Sequence, residues 1–395
     1  MKKLRIGLVF FNLWLGGAAK HLLLTARALK NQGHQVTVIA ADYDPSAFPQ
    51  LTRDLKIISL PQSLTKRLPM PQTKLSIYWW VISYNLRVFI ALVKLIAKQD
   101  LEVINSYDYP ANLAASLVKL LRGTPVVYNI DDIWQIPKMK KNKDQRRFFP
   151  MIERTFLWWL EKVSTKYLAD KVIVLSRWCK KEVDKNYRIT SLVLPPGLDL
   201  SNFKKILNKR STQVFTFLYF GIFLIHRRLG DLIKAFEKLY AVDKNVQLII
   251  AGSDRANKKY ARKISDLSLR SKAKIIIKIA DFTEKEVINL LAGSDAFVFT
   301  PEKQTWGMIV AEAMACAKPC LVSDSCGIGD ILENEKTALI FKTGDVEELF
   351  IKMKEITAHK KIRDQIGKSG RKLVEKKLSW EKYAQAMVKI YREVL

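Results

Sequence analysis

Arg227 and Arg228 follow a short β-rich run, Phe215 to Phe220, and precede a helical stretch, Leu232 to Leu239. Two guanidinium groups at a strand's carboxyl end can chelate a diphosphate and hold the charge that grows on a leaving group. A solvated basic turn is the competing reading, and on the pair alone the two weigh evenly. The segment TPEKQTWGMIVAEAMA, starting at Thr300, says more. Its loop ends at Gly307, where a helix begins, so the N–H groups of Met308 and Ile309 lack helical partners and can meet an anion. Glu312 lies within that helix among Ala and Met, and a buried acid there needs a polar partner such as a ribose diol. The alternative is an acid placed favourably near the helix's positive end. Ala311, Ala313 and Ala315 read as packing positions.

Two further elements carry the same kind of chemistry. Gly16 and Gly17 stand between a first strand and a first helix, an arrangement that presents backbone N–H groups and the helix dipole to an anion. A Gly-Gly turn is also a common structural turn, and taken alone that reading is favoured. Asp131, with Asp132, follows the strand Val126 to Ile130 and could orient a hydroxyl, accept a proton or cap the next helix. The pair has no Asp-x-Asp spacing, so no metal site and no obligatory divalent ion are expected.

The elements that must position these residues alternate along the chain. Ile6 to Phe11, Val36 to Ala40, Glu102 to Asn105, Val126 to Ile130 and Lys171 to Leu175 read as short buried strands with helices between them. The first helix, His21 to Lys30, is stopped by Gly33. Beyond Pro195-Pro196-Gly197 and a basic connector from Ser201 to Gln213, the alternation starts afresh. Its strands are Phe215 to Phe220, Val246 to Ile250, Lys274 to Ile279, Ala296 to Phe299 and Cys320 to Ser323. Three helices are expected there, Leu232 to Leu239, Glu284 to Ala292 and Met308 to Ala317. This pattern predicts an α/β protein of two Rossmann-like, doubly wound parallel-sheet domains that face a cleft. Residues 1–205 form the first domain and 206–378 the second. Residues 379–395 form an amphipathic helix that packs back on the first domain. A length of 395 residues suits two cores.

Composition narrows the partners. Hydrophobic residues make up 49% and charged residues 27%, an ordinary globular balance. The net charge of +29 attracts polyanions, whether nucleic acid, an anionic membrane or phosphorylated substrates. Basic residues are spread along the chain without a nucleic-acid-binding motif, so nucleic acid is set aside. Aromatic and basic residues mix at Tyr78-Trp79-Trp80 with Arg87 and Lys94, and at Arg146-Arg147-Phe148-Phe149 leading to Trp158-Trp159. That mixture suits an anionic membrane surface, and a buried helix with a solvated basic rim is the competing reading, only slightly less favoured. The apolar start lacks a cleavage site, and the longest apolar run, Ile77 to Ala97, is broken by Asn85, Arg87 and Lys94. Cys179, Cys316, Cys320 and Cys326 show no paired spacing, so a cytoplasmic location is expected, peripheral on the membrane's inner face.

Taken together, these residues resemble glycosyltransferase family 4, the retaining nucleotide-sugar enzymes with the GT-B fold. GGAAKHLLLTARALKNQGHQVTVIA resembles the family's first glycine turn and helix. YFGIFLIHRRLGDLIKAF resembles the start of its second domain, and QTWGMIVAEAMACAKPCLVSD its signature segment. SWEKYAQAMVKIY resembles the closing helix. The resemblance implies a UDP- or GDP-linked hexose donor, a glycan or lipid-linked acceptor, and no obligatory cofactor. It implies that Glu312 binds the donor ribose, that Gly307, Met308 and Ile309 face the sugar and diphosphate, and that Arg227 or Arg228 grips the diphosphate. Gly17, beside Gly16, is implied at the β-phosphate, and Gly252 and Phe282 at the nucleobase. Three departures stand out. Gln304 replaces the first signature acid, Ile222 stands where an Arg often adds a diphosphate contact, and Asp131 takes the place of a His near the reacting sugar. Ala317 and Ala338 replace usual glycines. The competing function is a catalytically silent protein that binds nucleotide sugars.

Overall fold

The computed structural model describes residues 2–14, 16–65, 74–133, 151–203, 214–255 and 257–395. The chain forms two compact units, residues 1–197 with 380–395, and residues 198–379.

The first unit is built on a seven-stranded parallel sheet. Its strands are β1 (Arg5–Leu13), β2 (Gln35–Tyr43), β3 (Lys56–Ser59), β4 (Val103–Ser106), β5 (Val126–Ile130), β6 (Lys171–Val174) and β7 (Leu192–Val193). They lie in the order β3-β2-β1-β4-β5-β6-β7. The helices between them are α1 (Gly17–Asn31), α2 (Pro49–Thr52), α3 (Gln62–Thr65), α4 (Lys74–Ala97), α5 (Tyr109–Arg122), α6 (Met151–Tyr167) and α7 (Arg177–Tyr187). The middle strands are buried along their whole length, as a sheet covered on both faces requires. Val88, Leu92 and Ile96 of α4 join Ala111, Ala114 and Val118 of α5 over Val9, Ile39 and Ile104 in one apolar cluster. Helix α1 ends two residues before Gly33, whose φ of 87° turns the chain into β2.

The second unit repeats the design with six strands. These are β8 (Phe215–Phe220), β9 (Val246–Gly252), β10 (Ile275–Ile279), β11 (Ala296–Phe299), β12 (Cys320–Ser323) and β13 (Leu339–Phe341). Their order is β10-β9-β8-β11-β12-β13, all parallel. The connecting helices are α8 (Leu229–Val242), α9 (Lys258–Arg270), α10 (Glu284–Gly293), α11 (Met308–Ala315), α12 (Val346–Ala358) and α13 (Lys360–Lys377). Both sheets therefore reverse direction beside their first strand, the crevice position where doubly wound folds bind ligands. Ala317 sits at φ 55°, a left-handed backbone that costs an alanine about 1 kcal/mol and explains why a glycine suits this turn.

The last helix, α14 (Trp380–Val394), belongs to the first unit. Tyr383, Ala384, Met387, Val388 and Tyr391 line its buried face, and α1 packs against it. Gln32 Nε2 donates to the Glu381 carbonyl at 2.9 Å, and Lys171 pairs with Glu393 at 3.4 Å. A Cβ at Gly197 would meet the Trp380 backbone nitrogen at 2.5 Å, so only glycine lets the two segments approach there.

One buried acid makes the first unit sensitive to pH. Glu161 of α6 is 1% exposed and accepts from the Tyr128 hydroxyl at 3.0 Å. Burial raises its pKa to about 8, so the folded chain holds it neutral at pH 7. An unfolded glutamate ionises near 4.5, so the fold takes up a proton and loses stability as pH rises from 4.5 to about 8. The full loss is on the order of 5 kcal/mol. Asp108, raised to about 6, adds the same sign only over the lower part of that range. Glu161→Gln is therefore expected to flatten the decline in thermal midpoint between pH 6 and 8, relative to the unaltered chain. An unchanged slope would contradict this account.

Candidate functional site

The second unit's reversal lies between β8 and β11, and the loops after these two strands meet there. After β8 the chain runs through a single 3-10 turn, Ile225–Arg227, into α8. After β11 it forms the loop 300–307 that leads into α11. The Thr300 hydroxyl donates to the Arg227 carbonyl at 2.7 Å, and the Glu302 N–H donates to the His226 carbonyl at 2.7 Å. The 300–307 loop is zipped along residues 325–328 as well. Gln304 N–H donates to the Ser325 carbonyl at 3.1 Å, Gly327 N–H to the Gln304 carbonyl at 2.9 Å, and Ile328 N–H to the Trp306 carbonyl at 2.9 Å. Buried Trp306 and Ser323, which bonds the Pro301 carbonyl at 2.6 Å, fix the loop from beneath.

This geometry separates the two arginines. Arg228 has φ 52° and caps α8 without a side-chain cap bond. Its guanidinium contacts Asp231 at 2.6 Å and Glu302 at 3.4 Å, so two carboxylates already hold it. Arg227 donates from Nη1 to the Gln304 side-chain oxygen and lies over the Phe299 ring, 5.7 Å from its centroid. Among the described residues no carboxylate pairs with Arg227, and its Nε has no hydrogen-bond partner. A glutamate at 304 would neutralise this guanidinium, whereas glutamine holds it and leaves its charge available. Burial and the Arg227 charge lower the His226 pKa to about 3, so positive charge here belongs to the arginines at any working pH.

Gly307 starts α11 at φ 111° with no side-chain cap. A Cβ there would lie 2.8 Å from Cys326 Sγ, so both backbone angle and space demand glycine. Helices α5, α7, α9, α10 and α12 are capped by the side chains of Asp108, Ser176, Asn257, Thr283 and Asp345. By contrast α1 and α8, which follow the first strand of each sheet, and α11, which follows the fourth strand of the second sheet, have none; α2 and α13 also lack one. At α8 the Leu229 N–H donates to the Tyr260 hydroxyl at 3.2 Å, whereas the start of α11 presents the kind of backbone N–H donors an anion site needs. Glu312 lies one turn into α11 and is buried, and Ala311, Ala313 and Ala315 are packed in the core.

The remaining expected residues fall elsewhere. Gly252 ends β9, where a Cβ would overlap the Gly221 carbonyl oxygen at the end of β8. Phe282, after β10, stands edge-on to Phe220 at 5.5 Å. Gly16 and Gly17 begin α1 in the first unit, with open space where a Cβ would point. Asp131 follows β5, is buried, and bonds His21 at 2.7 Å. Whether Asp131 caps a following helix concerns residues 134–150, outside the described set, as do the side chains of Tyr78, Trp79, Trp80 and residues 146–149. Sequence reasoning did not find the partners Asp231 and Glu302, or His21. A single histidine inside the apolar run of α1 was the available signal for His21. Among the described residues no cluster of three metal-ligating side chains occurs, and no helix is long and apolar enough to cross a membrane.

Comparison with known proteins matches this architecture. The family model for glycosyl transferases group 1 matches residues 201–373, and that for glycosyltransferase family 4 matches residues 15–202. An uncharacterized glycosyltransferase of Methanocaldococcus jannaschii is 24% identical over 314 residues, covering 79% of this chain and 81% of the relative. The human alpha-1,3/1,6-mannosyltransferase ALG2 is 22% identical over 410 residues, covering 97% of this chain and 94% of the relative. Anabaena HepE, solved in complex with UDP-glucose, superposes with a TM-score of 0.77 at 14% identity, covering 99% of this chain and all of that one.

Proposed function

The chain belongs to glycosyltransferase family 4, and from that membership we propose that it moves a hexose-type sugar, with retention of configuration, from a UDP- or GDP-linked donor to a glycan or lipid-linked acceptor. One observation carries this reading. Arg227, free of any described carboxylate, and the uncapped start of α11 lie on two loops tied together at the second sheet's reversal. A diphosphate needs that combination of cation and aligned N–H groups.

Under this reading Arg227 and the N–H groups of Met308 and Ile309 grip the diphosphate and stabilise it as it leaves. Arg228 shapes the loop through Asp231 and Glu302. Glu312 takes the ribose hydroxyls, and Gly252 and Phe282 flank the base. Gln304 turns its amide toward the sugar while its oxygen holds Arg227. Gly17, beside Gly16, meets the β-phosphate, and Asp131 orients the reacting sugar. The acceptor hydroxyl attacks the anomeric carbon on the face that the diphosphate leaves. The C–O bond to the phosphate breaks as the new glycosidic bond forms, and the departing phosphate takes the hydroxyl proton. The protein's contribution is positioning and leaving-group stabilisation.

A lipid-linked acceptor is supported by the first unit's surface. Leu86 and Ile90 of α4, Leu120 and Leu121 of α5, and Trp159 and Tyr167 of α6 are exposed, and α5 packs against both neighbours. Lys162 and Lys166 stand over the Trp158 and Tyr167 rings at 5.1 and 5.0 Å. Aromatic and aliphatic groups interleaved with cations suit an anionic bilayer interface.

The activity is tested by incubating the chain with UDP-glucose, UDP-N-acetylglucosamine and GDP-mannose and measuring nucleotide release, with the product's anomeric configuration read by NMR. Arg227→Ala is expected to slow release about a hundredfold, roughly 3 kcal/mol of transition-state stabilisation. Arg228→Gly, which relieves the left-handed backbone, should stay within about fivefold of the unaltered chain. Unchanged release in Arg227→Ala would overturn the assignment, and donor binding without any release would favour the silent binder. The membrane reading predicts sedimentation with vesicles containing phosphatidylglycerol but not with pure phosphatidylcholine, lost by about 0.5 M salt. Equal behaviour with both would refute it.

A further inference from the structure

Behind Asp131 lies a buried polar chain that links helix α1 and strands β4 and β5 to the last helix. His21 of α1 is 1% exposed. Its Nδ1 lies 2.7 Å from Asp131 Oδ2, and its Nε2 lies 3.0 Å from the Tyr383 hydroxyl on α14. The Tyr383 oxygen accepts from Asn129 Nδ2 of β5 at 3.0 Å. Asn129 Oδ1 accepts from Asn105 Nδ2 of β4 at 3.1 Å, and Asn105 Oδ1 accepts from the Tyr391 hydroxyl at 2.7 Å. Tyr107 and Trp380 pack around the imidazole at 5.4 and 5.7 Å.

The donors and acceptors assign a direction. An ionised carboxylate only accepts, so His21 Nδ1 carries a proton toward Asp131. In the neutral ring Nε2 is then the acceptor and takes the single Tyr383 proton, while the Tyr383 oxygen receives the Asn129 amide. The bonds run Asn129 to Tyr383 to His21 to Asp131, and each donor in that run has its acceptor. Buried polar pairs of this kind rarely outdo apolar packing for stability, so their value lies in geometry. Asp131 follows β5 directly, and one of its carboxylate oxygens is pinned by a ring that is itself held at both nitrogens. His21 lies one helical turn past Gly17, so the rigid helix that offers its N-terminus to an anion also holds Asp131.

We propose that His21 is a positioning residue that fixes the Asp131 carboxylate for transfer, and that α14 completes this arrangement through the Tyr383 hydroxyl. The inference rests on the reading of Asp131 as the group that orients the reacting sugar. The C-terminal helix then acts as more than a packing element, because its hydroxyl holds the second nitrogen of the ring that pins the carboxylate.

The test uses the full chain and whichever of UDP-glucose, UDP-N-acetylglucosamine and GDP-mannose it turns over fastest. Tyr383→Phe and His21→Leu are expected to lower kcat roughly 10- to 100-fold while the donor KM stays within about threefold. His21→Asn, whose amide can still donate to Asp131, should recover most of that loss. His21→Leu combined with Asp131→Asn should be no slower than Asp131→Asn alone, as for residues acting through one group. If Asp131→Asn is slow but His21→Leu and Tyr383→Phe keep full kcat, the positioning inference fails while the role of Asp131 stands. If Asp131→Asn keeps full kcat, that role fails and the inference with it, and release from none of the three donors would sink both. Nitrogen-15 NMR of the four histidines in the unaltered chain gives a readout that needs no variant. The Nδ1–H tautomer is expected at His21, and the Nε2–H tautomer would overturn the proposal.

Discussion

A pyrophosphate leaving a sugar gathers negative charge on oxygens that no water can be recruited to solvate quickly, so its donors must already be aimed. On the proposed reading, the second unit answers that constraint with a cation that has no counter-acid among the described residues. Arg227 is steadied by the neutral Gln304 and the Phe299 face, and the nearby acids Asp231 and Glu302 are both spent on Arg228. Two adjacent arginines thus have opposite electrostatic fates. One is neutralised and shapes the loop, and the other keeps its charge beside an uncapped helix start. Gln304, which departs from the acid implied by the family resemblance, is what leaves Arg227 unneutralised.

The strain in the loops follows from the same requirement. Gly307 has φ 111° and no room for a Cβ beside Cys326, and Arg228 has φ 52° with its side chain held by two carboxylates. Both positions lie where the chain turns from a strand end into a helix that has no side-chain cap. In the first unit the polar burden is carried differently. His21, Asn105, Asn129, Tyr383 and Tyr391 are nearly inaccessible, and their bonds join α1, β4, β5 and α14. Membership of the last helix in the first unit follows from these bonds together with its apolar face.

Much of the architecture was legible because buried parallel strands are short apolar runs. Val126–Ile130, Phe215–Phe220, Ala296–Phe299 and Cys320–Ser323 coincide with the expected runs to the residue. The strands that were not foreseen, Lys56–Ser59, Leu192–Val193 and Leu339–Phe341, are two to four residues long and lie at or next to sheet edges. Pairing, not local pattern, makes them strands. The residues of the candidate site were legible by chemical type, since arginines and a glycine between strand and helix stand out. The choice between Arg227 and Arg228 was not, because it depends on Glu302, which is 74 residues away. His21 and Tyr383 are separated by 362 residues, and neither looks unusual in its own helix.

The central claim is that Arg227 and the start of α11 hold a diphosphate. A crystal structure of the full chain with bound UDP tests it most directly. The account predicts phosphate oxygens within hydrogen-bond reach of the Arg227 guanidinium and of the Met308 or Ile309 N–H. A nucleotide bound with its phosphates away from both would contradict it.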